Sequence, residues 1–446
     1  MTSTSLVEDL LAQQVSVLIG TIWNPNGLLL AKTVPVERAD AFADSGLGAS
    51  PTWHGFTIDQ GGIAFTDAIT PVGDLRLRID PAAIRPLGDG LAWGPARFVT
   101  QDGGPVAECG RGTLAGVEQR LQDAGITALV GHELEFQLAG PGGEPLPKKG
   151  WAPYSLAGLL QHEDFVREVY RMAGVAGLSI QQLHAEYAMR QFEFCLEPQT
   201  PVAAADSLAL ARLLVQRAAH ATGLSVSFSP KPYADDAGSG AHQHFSLSRN
   251  GSPLFSGGDG RRGLTQDGAA AIGRVVELLP DLQAVFAGSI LSATRMAPGT
   301  WAGAHAAWGL ENREVAVRLI AATPSNPLGA HVEVKIIDPS TSGYIASAAV
   351  LAAMADGIEH QTALPAEATT DPGTMTATDR EQAGIAVLPG DQRVALDRLD
   401  ASTAVRGLLG NGLVDAILAG RRYEADTYGR LADDELADRF RFAWSL

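Results

Sequence analysis

The 446 residues predict a mixed helix-and-strand protein in two parts, β-rich over 1–105 and alternating helix with short strand over 106–446. Two observations carry this. Through the first hundred residues, β-branched runs are broken by tight-turn sequences. After Gly103-Gly104-Pro105 the apolar spacing changes to the helical period. With 46% hydrophobic and 19% charged residues, the chain can fill a sizeable core and is not a disordered segment.

Taken in order, residues 16–22 form an extended run, Asn24-Pro25-Asn26-Gly27 a strong turn, and 28–34 extended chain again. A second strand pair is expected at 63–69 and 74–79. Residues 112–124 have helical spacing, with Thr113 placed to cap the N-terminus. Further helices are expected at 163–173, 202–222, 267–279 and 345–361. Strands are expected at 129–138, 190–196, 225–230, 242–247, 315–320 and 331–337. Residues 360–446 read as helical and acidic, closing on Phe440-Arg441-Phe442-Ala443-Trp444.

Charge and cysteine usage narrow the function. Thirty-three Lys and Arg against 50 Asp and Glu give a net charge of -17, which opposes a phosphate-backbone partner. Cys109 and Cys195 stand far apart without partners at metal spacing, so a reducing cytoplasm is the expectation. Residues 1–11 lack the pattern of a signal peptide. The longest small-apolar run, 345–355, is far short of the ~20 residues of a spanning helix, so no membrane partner is expected. Gly258-Asp-Gly-Arg-Arg-Gly263 fits GxGxxG literally, but its upstream sequence is a poor buried strand and it reads as a loop. His162-Glu163 lacks the second histidine of a metalloprotease helix, and neither a P-loop nor a GxSxG turn is present.

Carboxylates placed in strands are the informative feature. Residues two apart on a strand share a face, so Glu133 and Glu135 in His132-Glu-Leu-Glu-Phe136 point the same way and repel unless a cation lies between them. Glu186 and Glu193 lie seven apart, the second in an aromatic strand-like run. His242 and His244 share a face after Gly238-Ser239-Gly240, as do Glu333 and Lys335 in His331-Val-Glu-Val-Lys335. Five strand carboxylates and two imidazoles point to an oxygen-rich site for Mg²⁺ or Mn²⁺ rather than zinc. Arg295, Arg313 and Arg318 sit among mainly small or apolar neighbours and suit carboxylate or phosphate oxygens.

Together and in order, these segments resemble the glutamine synthetase superfamily over nearly the whole chain. The motifs are Glu133-Leu-Glu135, the Glu186 to Gln191-Phe-Glu193 segment, Lys231-Pro232, Gly238 to His244, Arg295 before Pro298-Gly299, Asn312-Arg313 and Glu333 to Pro339. The resemblance implies an α+β subunit, with a small β-grasp-like N-terminal domain before a catalytic domain built on a curved antiparallel sheet. It implies two or three Mg²⁺ or Mn²⁺ ions per site. One would be held by Glu135, Glu186 and Glu193, another by Glu133, His242 and Glu333. ATP would lie near His244, Ser246, Arg313 and Arg318. The acid substrate would lie near Gly238 and Lys335, with Arg295 on its distal carboxylate. An acyl phosphate would form and be attacked by an amine. Family members form homo-oligomeric hexameric rings or dodecamers, in which Asp59 would act across an interface.

Departures from the family pattern bear on the substrate. The flap glutamate that helps take the ammonium proton is Trp301 here. The Asn before the Gly-Ser-Gly loop is Ala237, and the arginines flanking the last metal glutamate are His331 and Lys335. The N-terminal Asp-Gly-Ser-Ser is Asp59-Gln60-Gly61-Gly62. An indole in place of a carboxylate removes an anionic site for NH₄⁺ and adds a cation–π face. The pattern is similar to actinobacterial γ-glutamyl-amine and polyamine ligases. The expected activity is therefore ATP-dependent joining of glutamate to an organic amine. The alternatives are ammonia-using glutamine synthetase, a ligase for another acid and amine, or a non-catalytic regulatory homologue.

Overall fold

In the computed structural model, which describes residues 5–147, 150–297 and 299–445, two sheets organise the chain. The first contains β1 (Val17–Trp23), β2 (Leu29–Pro35), β3 (Leu47–Ala49), β4 (Leu75–Ile79), β5 (Arg85–Gly88) and β6 (Leu91–Val99). Its order is β2-β1-β6-β4-β3, with β5 also on β6, and β1 runs parallel to β6. The turn between β1 and β2 forms where expected. Asn24 Oδ1 accepts the N–H groups of Asn26 and Leu28, both at 3.0 Å, and Gly27 takes φ +81. The helix Ala39–Asp44 seats Phe42 so tightly on β1 that a Cβ at Gly20 would lie 2.3 Å from its ring.

The strand expected at 63–69 is instead a loop. Thr66 Oγ1 accepts the N–H groups of Ala68 and Ile69, at 3.2 and 3.0 Å, turning the chain so that Ile69 plugs the interior as an isolated anchor. The apolar content was real, but local side-chain bonds replaced the ladder.

The second sheet contains β7 (Ile126–Ala139), β8 (Ile180–Ala185), β9 (Gln191–Leu196), β10 (Ser225–Ser227), β11 (Gln243–Arg249), β12 (Ser252–Pro253), β13 (His305–Leu310), β14 (Val315–Ile320), β15 (His331–Val334) and β16 (Ala386–Val387). Its order is β16-β13-β14-β15-β11-β7-β9-β8, with β10 on β7 and β12 on β11. The pairings are antiparallel apart from β13 with β14, and the sheet is curved. On β7, Leu134, Phe136 and Leu138 are buried in the main core, while Glu133 and Glu135 face the other way. The helices Gly110–Asp123, Pro201–Ala221, Gln266–Phe286 and Gly343–His360 supply much of that core, with further buried residues from Glu163–Ala176 and the C-terminal helices.

Two helix expectations change. Cys109, not Thr113, is the N-cap of Gly110–Asp123, and the Thr113 hydroxyl instead donates back to the Cys109 carbonyl at 3.2 Å. Gln266–Phe286 runs through Pro280, because Leu282, Val285 and Phe286 beyond it are buried and hold the last turn. Among the described residues, no helix is long and apolar enough to cross a membrane.

Candidate active site

Strand register assembles the site. Glu135 on β7 lies opposite Glu193 on β9, and Glu193 opposite His184 on β8. On the other side, Arg318 on β14 lies opposite Glu333 on β15, which lies opposite His244 on β11. Just before β11 begins, the chain already runs beside β7, with the Glu133 N–H donating to the His242 carbonyl and that of Glu135 to the Gly240 carbonyl, each at 3.0 Å. Gly240 is required here. A Cβ would meet His242 Nε2 at 2.6 Å, and Arg295 Nη2 and Glu135 Oε1 at 2.9 Å.

Glu133, His242 and Glu333 bring ligand atoms within 4.8 Å of one another. His242 Nδ1 lies 3.2 Å from Glu133 Oε2 and 3.3 Å from Glu333 Oε1, and His244 Nε2 lies 3.1 Å from Glu133 Oε1. Burial opposes ionisation of Glu133, but hydrogen bonds from His242 and His244 hold its carboxyl well below the usual range. Glu333 is only 2% exposed. Burial would raise its pKa too, yet Lys335, His242 and His244 bring it down to about 2. Lys335 Nζ bridges Glu333 Oε1 at 2.9 Å and Arg318 Nη1 bridges Oε2 at 3.2 Å.

A second group is more crowded. His184, Glu186 and Glu193 also bring ligand atoms within 4.8 Å. Glu135, opposite Glu193, is oriented by Gln191 Nε2 at 2.7 Å and the Gly240 N–H at 2.8 Å, both donating to Oε2. Burial, then the charge of Glu135, pushes Glu186 up to about 7. Burial with Glu133, Glu135 and Glu186 raises Glu193 well above the ordinary value. Tyr154 Oη donates to Glu186 Oε1 at 3.1 Å, whereas Glu186 Oε2 is buried without a hydrogen-bond partner. Converging carboxylates that resist joint ionisation, with one buried oxygen unsatisfied, are a donor set that fits a divalent cation.

The remaining expected residues fall as follows. Arg295 is 5% exposed, with Nη1 on the Ile336 carbonyl at 3.0 Å and Nη2 on the Lys335 carbonyl at 3.1 Å, and Nη2 lies 3.3 Å from His242 Nε2. Burial lowers its pKa. Gly238 packs on Arg295, whose Cγ would lie 2.7 Å from an added Cβ. Ser246 follows His244 by two residues on β11, on the same face. Arg313 is exposed in the turn before β14. Trp301 is 49% exposed with φ +55. Asp59 is not brought to this cluster. Its Oδ1 accepts from Thr57 Oγ1 and the N–H groups of Gly61 and Gly62, and its Oδ2 from Tyr423 and Tyr428 at 2.8 and 2.6 Å. Burial opposes ionisation of Asp59, but these bonds hold its carboxyl far below the ordinary value.

Sequence reasoning missed His184, Tyr154 and Cys195. His184 had a signal, two residues before Glu186 and at strand period; Tyr154 reaches the site from a loop and had none. Cys195 lies opposite Glu133, its Sγ 3.5 Å from Glu193 Oε1.

Comparison with known proteins shows the family. The family model "Glutamine synthetase, catalytic domain" matches residues 107–438. The gamma-glutamylpolyamine synthetase GlnA3 of Streptomyces coelicolor is 33% identical, the match covering 99% of this chain and 96% of that protein. The glutamine synthetase of Pyrococcus abyssi is 30% identical over 74% of each chain. Among solved structures, a novel glutamine synthase homolog superposes with TM-score 0.86 at 28% identity, covering 97% of this chain and 99% of that one. Ligand-free GmaS gives TM-score 0.83 at 25% identity, covering 96% and 97%. The chain belongs to the glutamine synthetase family and is an ATP-dependent carbon–nitrogen ligase.

Proposed function

We propose that this ligase joins the side-chain carboxylate of glutamate to an organic amine. The observation that carries the amine is Trp301, a half-exposed indole where the resemblance places the flap glutamate. An ammonium ion would find no carboxylate there, whereas an alkylammonium chain would find apolar area and a π face. Asp59 supports the same reading, since five donors of its own chain already occupy its lone pairs. So does the full-length likeness to a gamma-glutamylpolyamine synthetase.

In this reading, residues 106–446 form the catalytic unit. The glutamate carboxylate attacks the γ-phosphorus of ATP, ADP leaves, and the amine nitrogen displaces phosphate from the acyl phosphate. Divalent cations held by Glu133, His242 and Glu333, and by Glu135, Glu186 and Glu193 with His184, would supply charge neutralisation of the phosphates. Arg318 and Lys335 add fixed positive charge beside Glu333, and His244 and Ser246 line β11 next to it. Arg313 stands ready for the nucleotide. Arg295 and Lys335 favour an acid with a second carboxylate. Family membership supports a homo-oligomer, which light scattering would read.

The test is phosphate release from ATP with glutamate and a panel of amines that includes ammonia. Amine-dependent turnover with little ammonia turnover is expected, and Trp301→Glu should raise ammonia use. Strong ammonia turnover by the unaltered enzyme would overturn the assignment of Trp301.

A further inference from the structure

The turn between β13 and β14 commits a strained residue to one arginine. Glu311 takes φ +50, a left-handed backbone that a residue bearing a Cβ adopts only where its surroundings hold it there. The end of β14 does the holding. The Glu311 N–H donates to the Leu319 carbonyl at 2.9 Å, and the carboxylate reaches two further groups nearby. Oε1 accepts the Ala321 N–H at 3.2 Å, and Oε2 accepts from Arg318 Nη2 at 2.6 Å. Across the sheet, the other tip of that guanidinium, Nη1, donates to Glu333 Oε2 at 3.2 Å. Arg318 is therefore clamped at both tips between two carboxylates. Among the described residues its Nε is buried without a hydrogen-bond partner. A buried guanidinium N–H is costly to leave unmet, and an anionic oxygen is the acceptor that suits it best.

Arg318 is largely buried and Glu311 half exposed, so this ion pair contributes little stability of its own. What it fixes is position. Arginine is a long side chain whose rotamer freedom must be lost before it grips a phosphate, and a guanidinium held at both tips has already lost it. We propose that Glu311 is a positioning residue for the nucleotide, presetting Arg318 so that its unpaired Nε–H meets a phosphate oxygen of ATP. This rests on the reading above that places Arg318 beside the nucleotide. A carboxylate acting through charge alone would repel the phosphates, and its removal would tighten ATP binding. Removing a clamp weakens binding instead, so the sign of the effect separates the two.

The experiment titrates the full-length enzyme with the β,γ-imido analogue of ATP and Mg²⁺ in a calorimeter, with neither acid nor amine present. Glu311→Ala should weaken binding of the analogue about three- to tenfold. Glu311→Gln, which keeps one acceptor oxygen, should weaken it less. Arg318→Ala should weaken it at least as much as Glu311→Ala, and the double variant should be no weaker than Arg318→Ala alone, because Glu311 acts through the arginine. Mn²⁺ affinity should stay within about twofold in both Glu311 variants, since the carboxylates and imidazoles of the donor groups are retained. Unchanged or tighter analogue binding in Glu311→Ala, additive effects in the double variant, or an equal loss of Mn²⁺ affinity would overturn the proposal. If Arg318→Ala itself leaves analogue binding unchanged, the placement of Arg318 fails and the proposal with it. If Arg318→Ala weakens binding and Glu311→Ala does not, the placement stands and the positioning role fails.

Discussion

Replacing Glu333 by Gln should destabilise the metal-free protein more than almost any isosteric change elsewhere in the sheet. Glu333 is 2% exposed and Lys335 3% exposed. The carboxylate meets Lys335 Nζ at 2.9 Å and Arg318 Nη1 at 3.2 Å, with His242 Nδ1 at 3.3 Å. Arg318 keeps a second partner in Glu311 at 2.6 Å, but Lys335 has no other carboxylate at bridging distance among the described residues. The variant therefore strands one buried ammonium, which costs about 3–5 kcal/mol, reduced to about 3 kcal/mol because the amide oxygen still accepts. Adding Lys335→Met removes the stranded charge and should bring stability back to within about 1 kcal/mol of the starting protein. Urea unfolding of the starting protein, Glu333→Gln, Lys335→Met and the double variant, with Mn²⁺ binding followed in parallel, separates the effects. Mn²⁺ affinity should fall in both Glu333 variants, since the donor set has lost a carboxylate. A single variant within about 1 kcal/mol of the starting protein, or a double variant as unstable as the single, would refute the stranded-charge reasoning.

Further outcomes follow from the same geometry. Gly240→Ala places a Cβ 2.6 Å from His242 Nε2 and 2.9 Å from Glu135 Oε1, so titration should show Mn²⁺ affinity reduced about tenfold or more. Glu186 has a folded value of about 7 against an ordinary 4.5, so between these values the folded chain holds a proton that the unfolded chain has released. The contribution of Glu186 to the stability of the metal-free protein is therefore fully present below about pH 4.5 and is lost as pH rises toward 7. Calorimetric melting should show that decline, a larger Mn²⁺ stabilisation at pH 7.5 than at pH 5, and proton release on Mn²⁺ binding near pH 6; a flat profile would contradict it. Asp59→Asn leaves the Tyr423 and Tyr428 hydroxyls with a poorer acceptor and should lower stability by about 2 kcal/mol in urea unfolding, an effect that Tyr423→Phe with Tyr428→Phe reproduces in large part.

How far the residues alone foretold the site differs from strand to strand. Residues 315–320 form β14 as expected, and Arg318 meets Glu333 because a β-branched run has a definite period and faces. Thr113 failed as a cap because a hydroxyl near a helix start has several backbone partners, and only the local dihedrals choose among them. β8 and β13 were not expected. β8 is short, with Gln181 and Gln182 interrupting its apolar pattern, so its pairing with β9 supplies what the pattern lacks.

By itself, the sequence singled out the candidate residues of the site. Glu133, Glu135, Glu186, Glu193, His242 and Glu333 stand out because charged side chains in apolar strands demand compensation wherever the strands go. Trp301 stands out because a carboxylate is absent. The tertiary structure alone decided which of these groups meet. Register across β8-β9-β7 and β14-β15-β11 aligned His184 with Glu193 and Arg318 with Glu333. It also gave Asp59 to two tyrosines from the far end of the chain. Those contacts join residues far apart in sequence or separated by loops, and no local pattern encodes them, because closure of a loop is set by the packing of everything it spans.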